Sequence, residues 1–297
     1  MQLGLFLINT DVCATDPPAA ARIARAAEAA GWESVWTGEH YVLPDPPVRS
    51  SPAPGDMPML DPFVALAFLA AHTRTLHLGT GVTVVPVHHP LVLAKQVASL
   101  DRVSGGRFLF GVGVGYLEPE FRALGVPLDE RASRMDDHLD AMQAIWSTAP
   151  AAHRGRHVAF AGVRAEPRPL LPSGPPLHVG GYVASSYRRA VTQGHGWYGF
   201  ALDVAGTEQA VGDLRAALDR YERPAHLGPM EISITPPPTV TLDDATLAGY
   251  AALGVTRLIA LPPRAGRNDA EAQVRFVEEL GARIAVHPDL EPLAAPV

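Results

Sequence analysis

Short apolar runs of β character alternate with longer helix-patterned segments eight times along this chain, and few architectures accommodate that rhythm. Leu3-Gly4-Leu5-Phe6-Leu7-Ile8 reads as a fully buried strand. Pro17 to Ala30 reads as its helix, with Asp16 as N-cap, Pro17 in the first turn and Gly31 as the stop. Ser34 to Thr37 is the second strand, followed by a Pro-rich loop over 42–60 and a helix that Asp61-Pro62 opens, ending near His72. Strand three spans Leu76 to Val84 with Pro90 to Leu100 as its helix; strand four spans Phe108 to Val112 with a helix from about Asp129 to Trp146. Residues 150–175 break the rhythm and read as an inserted hairpin. Strands five to eight are Pro176–Val179, Trp197–Phe200, Glu231–Thr235 and Val255–Leu261. Their helices are Ala184–Thr192, Thr207–Tyr221, Asp243–Ala252 and Asn268–Ala282.

Near-continuously apolar strands belong to a parallel sheet covered on both faces. Eight strand–helix units in 297 residues predict an α/β fold, a (β/α)8 TIM barrel with insertions after strand two and before strand five. An open doubly wound sheet is the alternative. No linker divides the chain, so one domain is expected over 1–297. Both architectures put the chemistry at the C-terminal ends of the strands.

Composition then removes whole classes of function. A net charge of −7 argues against a nucleic-acid-binding surface. Cys13 is the only cysteine, which excludes an intrachain disulfide and thiolate-held zinc or iron–sulfur sites. Lys95 is the only lysine among 24 Lys and Arg residues, and it falls mid-helix, on the outer ring of a barrel. Schiff-base chemistry needs a buried, activated amine, so imine mechanisms are not expected. There is no GxxxxGK[ST], GxSxG or HExxH, and His88-His89 are adjacent with rings diverging; no metal site is expected. Gly111-Val112-Gly113-Val114-Gly115-Tyr116 lacks the third glycine of a dinucleotide loop. Met1 to Thr10 has no basic leader and no apolar run approaches ~18 residues, so a soluble cytoplasmic protein without membrane contact is expected.

Four strand ends carry the remaining signal. Strand two runs into Glu39-His40, a carboxylate beside an imidazole, suited to orienting a cofactor and moving a proton near neutral pH. A salt-linked loop pair accounts for the same two residues. Strand three ends in Gly79-Thr80-Gly81-Val82, where glycine marks a bulge or a close approach of backbone to ligand, or close packing alone. Gly111, Gly113 and Gly115 remove three side chains at the fourth mouth and leave space there. Gly180-Gly181 with Ser185 and Ser186 make a phosphate cradle at a helix start, or simply a cap. Together these suit a large flat ring against backbone with a phosphate nearby.

At these residues the chain resembles the luciferase-like monooxygenase superfamily, in its branch of oxidoreductases using the deazaflavin coenzyme F420. The likeness runs through Gly31-Trp32-Glu33-Ser34-Val35-Trp36 into Glu39-His40, and through Leu78-Gly79-Thr80-Gly81-Val82. It continues from His89-Pro90 to Leu100-Asp101-Arg102-Val103-Ser104-Gly105-Gly106-Arg107-Phe108, the Gly111–Tyr116 run with Glu120-Phe121, and Pro176-Leu177-His178-Val179-Gly180-Gly181. The resemblance implies hydride transfer between F420 and a small organic substrate, with His40 catalytic. Glu39, Thr80, Gly81, Val82, Gly113, Gly180, Gly181 and Ser185 would bind the cofactor. It implies a non-prolyl cis peptide at Gly81-Val82 and a homodimer. Some members carry a catalytic Glu just after the strand-four glycines; Val114 and Gly115 stand there here, and Glu120 is assigned to loop packing. An FMN-dependent monooxygenase served by a separate flavin reductase is the alternative within the superfamily. A barrel that binds ligand without turnover is the alternative outside it.

Overall fold

A computed structural model of the chain describes residues 1–285. The opening apolar run forms β1 (Gln2–Phe6). A single-turn helix α1 (Val12–Thr15), which the sequence pattern does not announce, precedes α2 (Pro17–Ala29). Asp16 caps α2 through the Ala19 amide, and Asp61 caps α3 (Pro62–Ala70) through the Val64 amide. Proline follows each cap, where its missing N–H costs nothing.

The strand–helix rhythm continues through β2 (Ser34–Thr37), β3 (His77–Thr80), a short β4 (Thr83–Val84), α4 (Pro90–Ser104) and β5 (Phe108–Gly113). A short α5 (Glu118–Ala123), also unannounced, leads into α6 (Arg131–Ser147). The expected insertion is an antiparallel hairpin of β6 (Ala151–Arg154) and β7 (Ala159–Val163). The chain closes with β8 (Leu177–Gly180), α7 (Ala184–Thr192), β9 (Gly196–Phe200), α8 (Val204–Arg220), β10 (Glu231–Thr235), α9 (Asp244–Ala252), β11 (Arg257–Ala260) and α10 (Ala270–Ala285).

The parallel strands follow the order β3-β2-β1-β11-β10-β9-β8-β5, and β3 also pairs with β5 through Leu78↔Phe108 and Gly79↔Leu109. That last pairing closes the sheet into the (β/α)8 barrel and removes the open-sheet alternative. Strand one ends at Phe6, short of the expected Ile8, with Leu7 at φ 63°, and the larger departure lies in strand three. It does not run unbroken from Leu76 to Val84 but stops at Thr80 and resumes at Thr83, and the intervening Gly81–Val82 peptide bond is cis.

Two apolar clusters divide the interior. The larger lies between barrel and helices; the smaller fills the barrel with Phe6, Trp36, Leu109, Tyr198 and Ile259. Trp36 and Tyr198 stack with centroids 5.8 Å apart and planes 7° apart. Below them, at the N-terminal end, Arg257 forms a buried polar plug. Its guanidinium makes two bonds of 2.8 Å to Glu33 and reaches Glu231 at 3.0 Å, Ser233 at 2.9 Å and Gln2 at 3.3 Å. Burial pushes the Glu33 carboxyl up, but the charge and hydrogen bonds of Arg257 outweigh it and hold that carboxyl below the usual range.

Other arginines act as staples on the same face. Arg107 donates to the carbonyls of Ser104, Leu76 and Ala70, and to the Thr73 hydroxyl. Arg223 donates to the carbonyls of Gly194, His195 and Gly228, among others. Five donors in a planar fork suit these clusters of carbonyls as a lysine's point charge does not. The Ser104-Gly105-Gly106-Arg107 run is part of this framework. Gly105 takes φ 69° as the left-handed cap of α4, and Asp101 accepts from the Leu170 amide at 2.7 Å.

Candidate active site

The C-terminal mouth of the barrel is built around the break in strand three. The Gly81 amide donates to the Thr37 carbonyl at 2.7 Å, and Thr80 Oγ1 donates to the Gly111 carbonyl at 2.7 Å. Val82 then projects toward the barrel. A Cβ on Gly113 would meet its Cγ2 at 2.6 Å, and one on Gly180 its Cγ1 at 3.2 Å. A Cβ on Gly111 would overlap the Thr80 carbonyl, and one on Gly79 the Trp36 ring. One on Gly115 would meet Phe121 and Val84 at 2.6 Å. This corrects the expectation that the strand-four glycines leave open space. The room they vacate is filled from within by Thr80, Val82, Val84 and Phe121, so these glycines shape the socket of the break.

The surface left at the mouth is apolar. Leu7, Val82 and Leu261, each partly buried, pack on the interior cluster and form a floor. Around it stand exposed Tyr41, Val42, Tyr116, Tyr182, Val183 and Phe200. Tyr182 is fixed by its hydroxyl, which donates to the Phe200 carbonyl and accepts from the Phe200 amide at 2.5 Å. Beside the floor, Gly181 at φ +121° turns the chain toward α7, where Ser185 is half-buried and Ser186 fully buried.

The Glu39-His40 pair separates in the structure. Glu39 is buried, and its carboxylate is committed to the framework: Oε2 accepts the Val84 amide and Oε1 lies 3.1 Å from His88 Nε2. His40 turns the other way. Its Nδ1 lies 2.9 Å from Glu120 Oε2, and its ring meets the edge of Tyr116 at 6.0 Å. Glu120 Oε1 accepts the Tyr41 amide at 2.6 Å. The assignment of Glu120 to loop packing is therefore incomplete. The missed signal is a carboxylate beside an aromatic anchor, Phe121, on a short helix leaving the glycine-rich strand.

Tyr41 completes the rim. Its hydroxyl lies 3.3 Å from His88 Nδ1, and burial, followed by the charges of Glu39, Asp61 and Glu120, pushes its phenol up. Tyr41 is thus a neutral donor near physiological pH. Lys95 is exposed on α4 and donates to the Glu166 carbonyl, far from this chemistry. Burial and the charge of Asp11 push the Cys13 thiol up to about 12, so it is no nucleophile. Among the described residues, no group of three or more His, Cys, Asp or Glu could hold a metal, and no helix is long and apolar enough to cross a membrane.

These features fit a flat conjugated ring carrying a phosphate. The apolar floor suits the ring, and the positive end of α7 beside Ser185 suits the anion. A family model for luciferase-like monooxygenases matches residues 1–290. The chain is 32% identical over 295 residues to an uncharacterized protein of Mycobacterium tuberculosis, covering 96% of this chain and 99% of that one. It is 27% identical over 200 residues to the oxygenase component of the flavin-dependent trigonelline monooxygenase of Acinetobacter baylyi, covering 66% of this chain and 52% of that one. In fold it is similar to an F420-dependent secondary alcohol dehydrogenase in complex with an F420-acetone adduct, with TM-score 0.71, 14% identity and coverage of 93% and 98%. It is also similar to monooxygenase RslO1 of Streptomyces bottropensis, with TM-score 0.67, 24% identity and coverage of 96% and 82%.

Proposed function

Because this chain belongs to the luciferase-like monooxygenase family, we propose that it is an oxidoreductase that moves a hydride between the deazaflavin coenzyme F420 and a small, largely apolar organic substrate. The observation that carries the reading is His40, held by Glu120 through Nδ1 at the rim of the apolar floor. When bound, a deazaflavin supplies two-electron hydride chemistry. The protein must then supply or remove one proton at the substrate heteroatom.

His40 has the means. A carboxylate only accepts, so a neutral His40 carries its proton on Nδ1 and leaves the Nε2 lone pair free. In the oxidative direction Nε2 takes the proton of a substrate hydroxyl; in the reductive direction the imidazolium returns it. Leu7, Val82 and Leu261 would bear the ring, with Gly81, Gly113 and Gly180 shaping the socket that sets Val82 beneath it. Thr80 and Glu39 would hold that socket from behind. Gly181 and Ser185 would meet the phosphate at the start of α7. The exposed aromatic and aliphatic rim would exclude water and select neutral substrates.

The test is His40→Ala against a panel of alcohols and carbonyl compounds. Loss of turnover by about 10²- to 10⁴-fold with deazaflavin binding retained supports the role; full turnover in the variant removes it. A second reading, an FMN-dependent monooxygenase served by a separate reductase, draws on the similarity to the trigonelline enzyme's oxygenase component. The same floor and helix end would serve FMN.

A further inference from the structure

Glu120 gives both carboxylate oxygens to two consecutive residues that lie some 80 positions away in sequence. Oε2 faces the His40 imidazole at 2.9 Å and Oε1 accepts the Tyr41 backbone amide at 2.6 Å. The side chains are 12% exposed at His40 and 3% at Glu120, so water competes little for either. The placement is enforced. Gly115, at φ +75°, turns the chain after β5 with Phe121 and Val84 both packed where its Cβ would be, and Leu117 and Phe121 are buried. Glu120 then points to the loop leaving β2.

We infer that Glu120 is the positioning residue of this site, selecting the Nδ1-protonated tautomer of His40 so that Nε2 faces the mouth as a proton acceptor. The inference rests on the proton-transfer role proposed for His40. The division of labour between the two oxygens makes it specific. The Tyr41 amide can only donate, so whatever replaces Glu120 must keep an acceptor there. In Glu120→Gln the amide oxygen stays on Tyr41 and the NH2 group faces His40 Nδ1. That group donates, Nδ1 must accept, and the imidazole proton moves to Nε2. A buried carboxylate-to-amide change next to a catalytic histidine is known to act this way in serine protease triads, leaving geometry intact while imposing the wrong tautomer.

The experiment is two-dimensional ¹H–¹⁵N long-range NMR of the full chain without cofactor, with His40→Gln identifying the His40 signals by their loss. Wild type should show Nδ1 protonated and Nε2 with the shift of an unprotonated nitrogen. Glu120→Gln should show the reverse. In turnover, Glu120→Gln should lower kcat by on the order of 10²-fold or more with KM changed less than about threefold. A wild-type His40 protonated on Nε2, or an unchanged tautomer in Glu120→Gln, overturns the inference, and the wild-type spectrum alone decides should the variant fold poorly. An inverted tautomer with unchanged turnover upholds Glu120 as the positioning residue and overturns the proton-transfer role of His40 instead.

Discussion

Glu39 Oε2 accepts a hydrogen bond from the Val84 amide at 2.5 Å, fastening the exit of β2 to the far side of the break in strand three. The other oxygen meets His88, so one buried carboxylate joins the loop after β2, the strand resuming at Thr83, and the turn before α4. Glu39→Ala leaves a buried amide and a buried imidazole without their acceptor. The expected loss is about 2–3 kcal/mol of unfolding free energy, measured by urea denaturation. An unchanged midpoint would show that the break holds itself.

The glycines around the break are expected to be intolerant for reasons of contact. A Cβ at Gly111 overlaps a backbone carbonyl, that of Thr80, which cannot rotate away. Gly111→Ala should therefore destabilise the fold by about 3 kcal/mol or more. Gly125→Ala, at φ +71° with nothing within 4 Å, isolates the conformational cost of a left-handed residue and should lose only about 1 kcal/mol. Equal losses at the two sites would contradict the packing explanation.

Arg257 is 3% exposed and answers acceptors from Glu33, Glu231, Ser233 and Gln2. Arg257→Met strands the Glu33 carboxylate in the barrel and should cost about 3–5 kcal/mol. Arg257→Lys should recover little of that, since one ammonium lacks the fork that holds Glu33 at both oxygens. Full recovery by lysine would show that charge alone, not geometry, closes the barrel floor.

Three histidines, His178 and His138 buried and His195 half-buried, set the acid limb of stability. Burial, then the charges of Arg257, His195 and His77, push His178 well below the usual imidazole range. Burial likewise lowers His195 and His138. Below the ordinary value of about 6.5 the unfolded chain takes up protons that the folded chain refuses. Stability should therefore fall as pH drops from about 7 to 5, with each group contributing up to about 1.4 kcal/mol per pH unit. His178→Asn should flatten that slope in urea titrations at several pH values; an unchanged slope would contradict the assignment.

The barrel is legible in the sequence because most of the parallel strands are near-continuous apolar runs that alternate with helices opened by caps such as Asp16-Pro17 and Asp61-Pro62. What stays hidden is whatever depends on contact across the chain. The break at Gly81–Val82 lies inside a run that reads as one strand. Glycine content alone does not say whether vacated room is filled by a ligand or by Val82. Neighbours in sequence, Glu39 and His40, look like partners, yet each pairs with a residue from another loop, His88 and Glu120. Only the folded barrel brings those pairs together.

The most direct measurement is equilibrium binding of the purified chain to F420 and to FMN, followed by fluorescence and absorbance of each cofactor at matched salt and pH. Hydride transfer through a deazaflavin requires saturable F420 binding at micromolar concentration or better, with FMN at least about tenfold weaker. Tight FMN binding with no detectable F420 binding would contradict it and favour the oxygen-dependent reading.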